Sequence, residues 1–170
     1  MSSQEFLEKT MIVHAFPQAL ILANEDIWNG PGGSGLTRGD VINMEHAHKI
    51  VFTIITNHLT TGQAYITVEG CSTAVPAATE AISFRYRNIK APNTLGNVTE
   101  CKGFTTIATS DEIYDIEVDA ADLMACNSGA GYGYVRLVMS QVSDSAVDGA
   151  VMARLFRLRH AEDSHPTVVT

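Results

Sequence analysis

At 170 residues with a formal net charge of −8, the chain is sized for one domain with a real core and has the wrong sign of charge for nucleic acid. It holds only 11 lysines and arginines, so neutralising a phosphate backbone, which needs them clustered, is excluded as its task. Hydrophobic residues at 45% and charged residues at 18% describe a folded globular body, with a surface poor enough in charge to suggest a covering partner.

Residues 1–10 are polar and acidic, without the basic and apolar regions of a secretory leader. No apolar run approaches the ~18 residues that would span a bilayer, so synthesis and folding in a cytoplasm, away from membranes, are expected. Ser2 and Glu5 make a loose capping box, and Phe6, Leu7 and Met11 fall on one side, which predicts a short helix within residues 1–13. Pro17 ends it. Trp28, the single tryptophan, precedes the tract NGPGGSG at 29–35. That tract lacks both the Lys-Ser/Thr ending of a P-loop and the G-x-G-x-x-G spacing, and it reads as a flexible link. Residues 1–35 are therefore expected to form an N-terminal arm that docks on a partner through Phe6, Leu7, Phe16, Leu20, Leu22 and Trp28. The competing reading has this segment fold back and give a strand to its own domain.

From Lys49 onward the texture is that of strands. IVFTIIT at 50–56 and QAYITVE at 63–69 are β-rich runs separated by Thr61-Gly62. EAISFRYR at 80–87 alternates cleanly, with Ile82, Phe84 and Tyr86 on one side and Ser83, Arg85 and Arg87 on the other. Residues 88–102 are rich in turn formers and predict a long loop, and 103–108 a short strand. Tyr114, Ile116 and Val118 alternate with Asp115, Glu117 and Asp119, which predicts a half-buried strand over 112–118. A turn follows at 119–123, a Gly-rich turn at 127–131 and a strand at 133–142. Residues 149–159 suit a helix by propensity, but after the turn at 143–148 a closing strand is the preferred reading. The expected architecture is an all-β sandwich over residues 36–160, with jelly-roll connections one form of it, between the arm at 1–35 and an exposed C-terminal tail at 161–170.

Chemistry is sparse. His46 and His48 would share a strand face beside Glu45, yet no third zinc ligand follows at a recognised spacing, and they read as polar residues entering the first strand. The set Asp111, Glu112, Asp115, Glu117, Asp119 and Asp122 does not follow a calcium-loop pattern and reads as a solvated or partner-facing sheet edge. There is no G-x-S-x-G elbow, and Cys126 has no base that the sequence places beside it. Cys71, Cys101 and Cys126 lack metal-type spacing and are expected as free thiols. No enzymatic activity, metal or cofactor is expected. Arg154, Arg157 and Arg159, with His160, form the one basic cluster and are candidates for pairing with carboxylates of a neighbouring subunit. Residues 50–55, apolar on both faces, suggest a strand covered by a second layer or a second copy, and a homotrimer is expected.

EAISFRYR, IEVDAADL and GYGYVRLVMSQVSDSAVDGAVMARLFRLRH, taken in order, resemble accessory head proteins of tailed bacteriophages and prophages over residues 49–160. The resemblance implies a capsid decoration or cement protein, bound to the major capsid protein on the outer face of the virion shell and made in the host cytoplasm. It carries no functional residue across. A tail or neck component is the nearest alternative. A carbohydrate-binding sandwich, using Trp28, Tyr132 and Tyr134 as exposed aromatics, is the alternative from another class.

Overall fold

β-Branched side chains crowd a helix but sit well on a pleated surface, and the run KIVFTIITN becomes the strand around which the molecule is built. The computed structural model describes residues 10–13, 36–57, 63–90, 94–107, 112–142 and 148–156. Its strands are β1 (Thr10–Val13), β2 (Leu36–Arg38), β3 (Ile42–Asn43), β4 (Lys49–Asn57), β5 (Ala64–Cys71), β6 (Thr79–Ala81), β7 (Phe84–Lys90), β8 (Thr94–Leu95), β9 (Thr99–Cys101), β10 (Phe104–Thr105), β11 (Glu112–Asp119), β12 (Tyr134–Gln141) and β13 (Asp148–Phe156). A single helical turn, α1 (Ala120–Leu123), and a 3-10 turn at Asn127–Gly129 lie between β11 and β12.

The strands form two antiparallel sheets. The larger runs β1-β13-β4-β11-β7-β8, with β9 also on β7; the smaller runs β10-β5-β12-β2, with β3 on β12 and β6 on β5. The pairs β1·β13, β2·β12, β4·β11 and β5·β10 nest first strand with last and alternate between the sheets. This is the jelly roll, and it fills in the all-β sandwich that the sequence predicts. β7, with β8 and β9, is an addition to it that extends the larger sheet past β11.

The core lies between the sheets. Ile50, Phe52 and Ile54 of β4 face Ile66 and Val68 of β5 and Leu137 and Met139 of β12 across it, all buried. At one side Tyr86 stacks on Phe104 at 3.9 Å between ring centres, with Phe84 edge-on to Phe104 at 6.2 Å and Tyr114 tilted against it at 5.2 Å. The Tyr114 hydroxyl accepts the Ile107 N–H at 2.9 Å, so its polar end is satisfied although the ring is buried. Burial raises its ionisation well above the usual phenol range.

Several sequence expectations change in detail. The alternating stretch 80–87 is two strands, because β6 pairs with β5 in one sheet and β7 with β11 in the other. Ile82 and Phe84 stay buried across this change of sheet, so an unbroken sequence pattern spans a break in hydrogen bonding. The predicted loop 88–102 contains the end of β7, β8 and β9. The predicted turn at 119–123 is helical at α1, whose Asp122 carboxylate accepts the Asp119 N–H at 3.1 Å. His46 and His48 lie in a turn and a bend, not on a strand. Residues 10–13, within the segment predicted as a short helix, are strand β1 on the edge of the larger sheet, as the fold-back reading has it. Phe6, Leu7, Phe16, Leu20, Leu22, Trp28, Arg157, Arg159, His160 and the tail lie outside the described residues.

Candidate functional site

Side chains of the larger sheet that point away from the core form rows across its strands, because directly opposed residues of an antiparallel pair share a face. One set of rows is charged. Glu117 meets Lys49 Nζ at 2.9 Å and Arg85 at 2.7 Å, Asp119 meets Arg85 and, at 3.8 Å, Lys49, and Asp115 meets Arg87 at 3.2 Å. The Thr53 hydroxyl donates to the second Asp115 oxygen at 2.9 Å. The acidic set is therefore not a sheet edge: β11 is an inner strand, and its carboxylates are matched by cations from β4 and β7. Glu112 points the other way, is buried, and accepts the Asn88 amide at 3.1 Å. Exposed pairs of this kind contribute about 0–1 kcal/mol each, so the ladder fixes register more than it adds stability.

The next row is apolar. Leu95 of β8, Ile89 of β7, Ile113 of β11, Ile55 of β4 and Ala150 of β13 are successive register partners, a line of aliphatic side chains across five strands. Leu95 is 60% and Ile55 40% exposed, and Met152, opposite Thr53 in the adjoining row, is 36% exposed. Arg154, the predicted basic residue that is described, belongs to the same face, opposite Val51. It is half-buried, and its Nε has no hydrogen-bond acceptor among the described residues.

A cleft of about 840 Å³ lies at an end of the sandwich, between the β3–β4 turn and the α1–β12 connection. Its frame is held by backbone bonds: Met44 N–H to Gly133 O at 2.9 Å, Ala120 N–H to His48 O at 2.9 Å, and Tyr132 N–H to Leu123 O at 3.0 Å. The connection itself is tightly coiled, with Asn127, Ser128, Gly129 and Gly131 all at positive φ and the Asn127 N–H donated to Glu80 at 2.9 Å. Tyr132 and Tyr134 line this cleft together, with Asn43, Glu45, His48 and Asp122.

Sequence reasoning named Tyr132 and Tyr134, and it named Glu45, His48 and Asp122 in other sets, but not Asn43, and not that β3, the β3–β4 turn and α1 bring these four polar residues beside the two rings. It also missed the apolar row. A signal existed: Ile113 is in phase with Asp115 and Glu117, and Ile89 with Arg85 and Arg87, so each is an aliphatic residue on a charged face. The three cysteines are unbonded to one another, Cys71 and Cys126 buried and Cys101 half-buried. Among the described residues no three His, Cys, Asp or Glu side chains gather as a metal-ligand set, and no helix is long and apolar enough to cross a membrane.

No protein-family model matches the chain, and no curated protein matches it. Among solved structures, the SPBc2 prophage-derived protein YomS is similar over 86% of this chain and 91% of its own, with 14% identity and a TM-score of 0.43. At that identity and overlap the likeness assigns no function.

Proposed function

We propose that the chain is a virion structural protein, a decoration or cement protein that lies on the outer face of a tailed-phage head and binds its major capsid protein. The observation that carries this reading is the apolar row from Leu95 to Ala150 beside the charged ladder on one sheet face. Fully covering a large aliphatic side chain is worth about 1.5–3 kcal/mol, and the ladder would form the polar rim that sets register against a protein partner. The sequence likeness of residues 49–160 to accessory head proteins supports the same assignment. In this reading the chain catalyses nothing and needs no cofactor. It assembles as a homotrimer, as proteins seated on a threefold position of a shell do.

Co-sedimentation with shells assembled from the major capsid protein encoded in the same genome tests the proposal. The expected result is saturable binding to shells and none to tails. Ile55→Lys or Leu95→Asp should weaken binding roughly tenfold or more, since each places a charge in the covered row. Binding to tails alone would favour the tail or neck reading, and binding to neither would refute both. Light scattering of the free protein should give three times the chain mass of 18.3 kDa.

A further inference from the structure

We propose that the end cleft is a saccharide-binding site for neutral or amino sugars, separate from the apolar row that would meet a shell and sharing only Asp119 with the charged ladder beside that row. Three observations converge on it. Tyr132 and Tyr134 bring two half-exposed aromatic rings to one concave site, each offering an apolar body and a hydroxyl tip, the combination suited to the C–H faces and hydroxyl rims of pyranose rings. At about 840 Å³ the cleft falls within the range of about 300–1,000 Å³ typical of small-molecule sites, large enough for a short oligosaccharide.

The polar groups around the rings are the second observation, and their hydrogen-bonding capacity is only partly used. Asn43 Oδ1 accepts the Glu45 N–H at 2.8 Å, which fixes the amide and turns its NH₂ into a free donor. Asp122 spends one oxygen on the Asp119 N–H at 3.1 Å and keeps the other. The Glu45 carboxylate and the His48 ring make no side-chain hydrogen bond among the described residues, and both residues are exposed. Planar amide and carboxylate groups held by their own backbone bonds are suited to paired hydroxyls, which both donate and accept.

Charge narrows the class of ligand. Glu45, Asp119 and Asp122 line the cleft, and no lysine or arginine does among the described residues. The Asp119 carboxylate is already compensated by Arg85 and Lys49, so the remaining field comes from Glu45 and Asp122 and is negative. Sialic acids, uronic acids and phosphorylated sugars would be repelled; neutral hexoses and amino sugars would not. The backbone frame described above means that the site exists before any ligand arrives, so little ordering cost is attached to binding.

The experiment is a glycan array of neutral, amino and acidic oligosaccharides probed with the full chain, followed by calorimetric titration of the best-retained member. Retention of neutral or amino members is expected. Tyr132→Ala and Tyr134→Ala should each weaken binding roughly tenfold, and Asn43→Ala or Glu45→Gln several-fold. Glu45→Gln alters an exposed side chain that makes no side-chain hydrogen bond among the described residues and should leave the melting temperature unchanged, so its loss of binding cannot be ascribed to unfolding; Asn43→Ala also removes the acceptor of the Glu45 N–H and is read beside its own melting temperature. Tyr134→Phe, which keeps the ring, should retain most of the affinity. No retention, retention of acidic members alone, or affinity unmoved by Asn43→Ala and Glu45→Gln would each overturn the proposal. Shell binding by the same rim variants should be unaffected, which keeps this result separable from the fate of the decoration reading.

Discussion

At the scale of single residues, Cys71 offers a clean prediction about pH. Its thiol sits at the end of β5, opposite Tyr134 and fully buried, and burial pushes it from 9.0 up to about 11; Arg136 works against that shift, while Glu69 and Cys126 add to it. Below pH 9 the thiol is protonated in both the folded and the unfolded chain, so it contributes no pH dependence. Between pH 9 and about 11 the unfolded chain releases the proton and the folded one holds it, and stability must fall as pH rises. Cys71→Ser has no comparable ionisation. Its thermal stability should track the native protein below pH 9 and decline less steeply across the window, as calorimetry at closely spaced pH values would read; parallel curves throughout would mean that Cys71 does not carry the effect. The same burial makes Cys71 and Cys126 poor nucleophiles, so a thiol reagent should reach half-buried Cys101 first.

At the scale of elements, a tight backbone constraint lies where β13 passes β4. Gly149 is opposite Thr56, and a methyl group in place of its hydrogen would lie 2.1 Å from the Ile55 carbonyl oxygen. Backbone cannot yield as a side-chain tip can. Gly149→Ala should therefore cost about 1–3 kcal/mol, seen as a lower denaturant midpoint at unchanged slope. Much at this scale was legible in the sequence. The strands over 50–56, 63–69, 112–118 and 133–142 follow from β-branched runs and period-two alternation, and the predicted closing run is strand over its described residues, Gly149 to Phe156, where it pairs with the second side of β4. What was not legible concerns neighbours. Alternation at Glu117 and Asp119 reports that these residues face out, but not whether their strand is inner or at an edge. Nor does it report that Arg85 and Lys49 stand across from them. The end cleft was hidden for the same reason, since Asn43 and Tyr134 become neighbours only through the pairing of β3 with β12.

At the scale of the whole molecule, β1 covers the outer edge of β13, and a bare edge is a template for another chain. A variant lacking residues 1–13 should associate beyond the trimer as concentration rises where one lacking residues 1–9 stays trimeric, and size-exclusion chromatography across a dilution series distinguishes them. Equal behaviour would show that β13 tolerates an open edge. The nested pairing has a consequence of another kind, in the order of events during synthesis. β4 carries the centre of the core, yet both strands that flank it, β11 and β13, are made later, and Lys49 finds Phe156 only when nearly all of the chain has left the ribosome. Non-local closure of this sort is slow, falling in the ms–s range of all-β domains at roughly the same stability. For that interval the β-rich run of β4 is naked on both sides, which makes the nascent chain, rather than the finished sandwich, the form most exposed to aggregation.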